Sequence, residues 1–231
     1  MQINGIDIST YKAKLLERVI DVAEKYNNNS WSNKEPMPTI ETDYFYSHKQ
    51  IRLKFDIIAK STTELEMCKG KLTKALEKAT IRFADIDMNY TGYYTETPKT
   101  EYVTKYNDTL EFTFYAYAWK EEKTETFNKT LTKTISVTGN QKTPCIIEIN
   151  PTASYGSLTL KINSRVITIK NITANKKIIL DGSTGKFTEE TNNKFNDIDL
   201  WEKPYLDVGN NTLTIDKDTC NITIKYKNIF I

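Results

Sequence analysis

The chain has 231 residues, 32 Lys+Arg against 30 Asp+Glu, and one His, for a formal net charge of +2. A composition of 39% hydrophobic, 11% aromatic and 27% charged residues can build and cover a core, which excludes a wholly disordered chain. It also excludes a strongly basic nucleic-acid binder, and no run of about 18–20 apolar residues predicts a membrane span.

In chain order, Ile3, Ile6 and Ile8 surround Asn4-Gly5, which predicts a short hairpin or strand start. Residues 11–25 are ambiguous. Ala13, Leu16, Ile20 and Ala23 follow a helical course, while Leu16, Arg18, Ile20 and Val22 alternate as in a strand. Residues 27–50 break the pattern with three consecutive Asn, Pro36 and Pro38. This segment carries Trp31, Tyr44, Phe45 and Tyr46, which either cap the core or form a partner contact. Ile51, Leu53, Phe55 and Ile57 alternate with Arg52, Lys54 and Asp56, a strand with one buried face. A helix over about 61–79 follows: Ser61-Thr-Thr-Glu64 fits a capping box, and Leu65, Cys68, Leu72, Leu76 and Ala79 form one apolar stripe.

Strands are expected at 80–88 and 92–96, then a pair at 101–106 and 109–119 turning at Asn107-Asp108. The second of these is apolar on both faces, so it is expected to be covered on two sides. The run Lys-Glu-Glu-Lys-Thr-Glu-Thr at 120–126 is the best domain boundary. Beyond it the pattern changes to short strands near 130–138, 144–150, 157–162, 165–170, 176–181, 186–189, 212–216 and 220–226. The fold class is therefore mainly β with one amphipathic helix: an α+β domain over 1–122 and an all-β sandwich over 127–231.

Reactive chemistry is scarce. The opening MQINGIDIST has no basic and then apolar stretch, so no classical secretory signal is expected, and Cys68, Cys145 and Cys220 fit reduced thiols, since none lies in a Cys-x-x-Cys. One His, His48, supplies no triad or zinc site. The pairs Asp85/Asp87 and Asp197/Asp199 have the spacing of solvated strand residues rather than of a calcium loop or glycosidase pair. No catalytic residue, metal or cofactor is expected. A carbohydrate-binding reading rests on Trp201 and Tyr205, either of which could stack on a sugar ring if exposed.

The segment order resembles phage distal tail proteins of low-GC Gram-positive hosts. The resemblance is carried by Ile3-Asn-Gly-Ile-Asp-Ile-Ser9, by Tyr11-Lys-Ala-Lys-Leu-Leu16, and by Trp31 leading through a polar loop into Ile51-Arg-Leu-Lys-Phe-Asp-Ile-Ile58 and a helix. It is carried further by Ile167-Thr-Ile169, Ile178-Ile-Leu-Asp181, and Asp199-Leu-Trp201 running through Gly209-Asn210 into Ile215, with Asn221-Ile-Thr-Ile-Lys-Tyr226 closing the chain. The resemblance implies a barrel-like N-terminal domain that forms a hexameric ring and a galectin-like C-terminal β-sandwich. It tips residues 11–25 toward strand. Its implied partners are further copies of the chain, the tail tube protein, and hub or receptor-binding proteins. Its implied place is the virion tail tip, assembled in the host bacterial cytoplasm, with a structural rather than enzymatic role. A carbohydrate-binding module recognising the host surface is the alternative. The loop 33–50 is expected to reach an adjacent subunit.

Overall fold

The computed structural model describes residues 1–27, 44–200 and 202–231. It separates into two compact units, Met1–Trp119 with Ile231, and Lys120–Phe230.

In the first unit, strands Gln2–Ile3 and Ile6–Asp7 pair antiparallel across Asn4 and Gly5, both at positive φ (52° and 80°). That turn type needs left-handed residues at both central positions, which Asn-Gly supplies. Asn4 ties the hairpin to the next strand: its Oδ1 accepts from the Thr80 amide at 2.8 Å. The ambiguous 11–25 segment is the strand Ala13–Ile20, as the resemblance implied. Its pairing with Lys49–Ile58 slips between Leu15 and Glu17, a bulge that leaves Leu16 exposed. One extra residue turns the period of two into a step of three, Leu15 to Arg18, and so breaks the alternation by which a strand is read.

Lys49–Ile58 buries Ile51, Leu53, Phe55 and Ile57 completely. The helix runs Thr62–Leu76, with Ser61 Oγ accepting from the Glu64 amide at 3.1 Å. Glu64 reaches back to the Lys60 amide, one residue earlier than a capping box requires. Leu65, Cys68, Leu72 and Leu76 are buried as the stripe predicts, and the helix stops before Ala79, which opens the strand Ala79–Arg82. That strand ends where the turn 83–88 begins, shorter than expected, and its partner is Asn89–Tyr94. Gly92 sits so close to the next strand that a Cβ there would lie 1.8 Å from the Tyr115 carbonyl oxygen. The strand Lys99–Thr104 then pairs with Asn107–Asn128, a 22-residue strand that carries the chain across the unit boundary. The charged run 120–126 is thus strand rather than linker.

The second unit is two sheets around one core. One contains Phe187–Glu189, Ile178–Asp181, Thr143–Pro151 and Cys220–Phe230 in that order. The other runs Thr132–Val137, Gly209–Ile215, Tyr155–Ile162, Arg165–Ile172, Ile198–Leu200. Inward side chains from both, among them Ile147, Ile149, Ile222 and Ile224 with Leu158, Leu160, Ile169 and Leu213, form the core. Burying each stabilises the unit by roughly 2 kcal/mol. The short strands 198–200 and 205–206 carry too few alternating residues to be seen in the sequence.

Candidate assembly interface

The first unit's sheet holds four strands in the order 13–20, 49–58, 107–119, 99–104, each step antiparallel. Its inner face is apolar and holds the helix. There Lys69 Nζ bonds Asp108 Oδ2 at 2.7 Å, and Arg18 lies over the Phe83 ring while holding Asp85 with two bonds of 2.8 and 2.7 Å. The Arg18 bonds draw the Asp85 carboxyl down to about 2.

The outer face is half-exposed. Tyr93 and Tyr115 are direct cross-strand neighbours, His48 meets Tyr93 edge-on at 6.0 Å, and Trp119 Nε1 donates to Thr91 Oγ1 at 2.8 Å. The strand expected to be covered on two sides is buried on one of them, at Phe112, Phe114, Ala116 and Ala118.

Two rows of side chains cross this outer face. Register puts Glu17, Lys54, Glu111 and Lys99 side by side, one from each strand, with alternating charge. The neighbouring row is Lys14, Asp56, Thr109, Glu101. Lys54 Nζ also reaches Glu101 at 3.2 Å. Each row ends in opposite charges at the two outer strands: Glu17 against Lys99, and Lys14 against Glu101. Among the described residues, 13–20 pairs only with 49–58, and 99–104 only with 107–111. Both are therefore open edges, and every residue of 99–104 is exposed, Tyr102 at 73%. An open edge is a template for pairing with another strand. None of these four edge residues stood out in the sequence, because their alignment appears only once the register is known.

Of the interface residues expected from the sequence, Trp31 lies outside the described residues, as does the loop over 28–43. Tyr44, Phe45 and Tyr46 form a strand paired with Lys25–Asn27, Tyr26 opposite Phe45. The side chains of Tyr44 and Phe45 lie outside the described part, and Tyr46 is half-buried. Trp201 also lies outside it. Tyr205 is half-buried with the Arg165 guanidinium carbon over its ring, 3.8 Å from the centroid, and Arg165 is held by Asp207 Oδ2 at 2.8 Å. A ring face covered in this way is not available to a sugar.

The carboxylate pairs separate. Asp197 accepts from Asn171 and Lys194, whereas Asp199 pairs with Lys170 at 2.7 Å. All three thiols are buried, and burial pushes Cys145 up to about 12 and Cys220 up to about 11, far from thiolate reactivity.

Residues 138–230 match the family model of the siphovirus-type tail component, C-terminal domain. No curated protein sequence matches the chain. Among solved structures, the Dit protein (gp 19.1) of phage SPP1 is similar over 99% of this chain and 98% of its own, at 14% identity and a TM-score of 0.75. Chains of the phage P2 baseplate in its activated conformation are similar over 96% of this chain and 92% of their own. With Ca the identity is 10% and the TM-score 0.55, and with Sr 12% and 0.56.

Proposed function

We propose, for a chain that is a phage distal tail protein by its tail-component domain and its end-to-end fold, that its structural role is to close into a hexameric ring joining tail tube to baseplate hub. The single observation that carries the ring is the pair of open edges with opposite end charges. Four antiparallel strands make the two edges run in opposite directions. A copy related by rotation alone therefore presents its 13–20 edge antiparallel to the 99–104 edge of its neighbour. In that pairing Glu17 faces Lys99 and Lys14 faces Glu101. Glu17 is three positions after Lys14 and Glu101 only two after Lys99, and the bulge at Leu16 absorbs the difference, as it does against 49–58.

Such a contact is heterologous, so it gives a closed ring when the rotation closes. The partners of the ring are the tail tube protein on one side and hub or receptor-binding proteins on the other. Its place is the virion tail tip, reached after assembly in the host cytoplasm. The role asks for no reaction, cofactor or metal. Light scattering with negative-stain microscopy tests it. The expected result is a six-copy mass and a six-fold ring. A monomer both alone and in mixture with the tail tube protein overturns it.

A further inference from the structure

Residues 194 and 195 reverse the usual order of inside and outside. Lys194 is 5% exposed and its neighbour Phe195 is 57% exposed. A buried charge is an informative exception to burial by polarity, and here it sits beside an exposed aromatic ring.

The buried lysine is fully engaged. Its Nζ donates to the Asn171 carbonyl at 2.9 Å and faces Asp197 Oδ2 at 3.3 Å and Glu189 Oε1 at 3.4 Å. Its backbone amide donates to the Phe187 carbonyl at 2.9 Å. The Phe195 amide donates to Asn193 Oδ1 at 2.9 Å, and the Phe195 ring stacks on buried Phe187, centroids 5.8 Å apart and planes 15° apart. The aromatic ring is thus held outward by the backbone on both sides of it and by a second ring beneath.

Beside the ring is a cavity of about 340 Å³, lined by Gly185, Lys186, Thr188, Thr191, Asn193 and the two phenylalanines. Among the described residues, the hydroxyls of Thr188 and Thr191 and the amide nitrogen of Asn193 bond no protein group. We infer that this cavity is a saccharide subsite, in which the apolar face of one pyranose ring stacks on Phe195 while its hydroxyls meet Thr188, Thr191 and Asn193. Three features favour a sugar over a protein. The cavity is at the small end of ligand sites. Its polar groups surround a single apolar platform. Phe195 is the one exposed aromatic among the described residues of the second unit, whereas a protein interface buries about 800 Å² per side around a clustered apolar core enriched in aromatics. The site lies within the second unit and holds whether or not the chain closes into a ring.

The test is an NMR titration of the isotope-labelled full chain with glucose, galactose and N-acetylglucosamine trisaccharides. At least one is expected to shift the amides of 185–195 with a Kd of about 1 mM. Phe195→Ala, with an unchanged thermal melt, weakens it at least about tenfold, Phe195→Trp retains it, and Asn193→Asp weakens it a few-fold. No shift with any of the three up to about 20 mM overturns the inference, as does unchanged binding by Phe195→Ala. Loss of a co-purifying tail protein from Phe195→Ala tail tips, with no saccharide bound by the parent chain, assigns the surface to a protein and overturns it as well.

Discussion

The two units finish their sheets differently. The second encloses its core between two sheets, and each sheet tapers at one side to a strand of two or three residues, Asn192–Asn193 and Ile198–Leu200. Short edges of that kind offer little to pair with. The first unit covers one face of its sheet with a helix and leaves open edges of eight and six residues. The second unit thus closes its core between two sheets, although Thr132–Val137 leaves a six-residue edge on the other side of one of them. The first unit leaves two edges of that length or more among its described residues, and its charge rows are what the proposed contact between copies rests on.

The contrast can be broken first at the closest backbone approaches. Gly92→Val puts a side chain where the Tyr115 carbonyl lies, and Gly182→Val does the same against the Pro204 carbonyl, 1.9 Å from a Cβ. Each is expected to cost about 4 kcal/mol or more, and each to lower only its own unit's urea transition. A single shared transition in both variants would show the units to be one cooperative body. Next in size is Leu72→Ala in the buried helix stripe, expected to cost about 3 kcal/mol by urea unfolding of the first unit.

A smaller effect belongs to Glu148, which sits between Lys177 at 2.6 Å and Lys225 at 2.7 Å with 14% of its side chain exposed. Burial raises its carboxyl, but the two ammonium donors outweigh burial and the net direction is down from 4.5. A depressed carboxylate stabilises the fold above its unfolded value and loses that contribution as pH falls through its folded one. Glu148→Gln is therefore expected to cost about 1–2 kcal/mol at pH 7 and progressively less below about pH 4.5, measured by urea unfolding of the second unit. The smallest effect is at Asp85, whose carboxyl is expected to titrate at about 2 when followed by NMR and to return toward 3.8 in Arg18→Gln. Its contribution is present at neutral pH and lost as pH falls through about 2.

Much of the scaffold was legible in the sequence because its signals are local. Strict alternation marked 49–58, a serine cap and a stripe of five marked the helix, and Asn-Gly marked the first turn. The segment 13–20 was not, because the bulge at Leu16 rewrites its period, leaving helix and strand both open until the resemblance tipped it toward strand. The charge rows were not legible at all: Glu17 and Lys99 are neighbours of a row only through the pairing of three intervening strand boundaries. Phe195 escaped notice because the lysine that holds it looks, in sequence, like any solvated charge.

The central claim is that opposite edges of one sheet meet between copies. Charge exchange on those edges tests it most directly. Glu17→Lys alone and Lys99→Glu alone should each lower the assembled mass seen by light scattering, and the double variant should recover it, since each junction then pairs Lys with Glu in reverse. Full assembly by both single variants, or a double variant no better than either, would contradict the account.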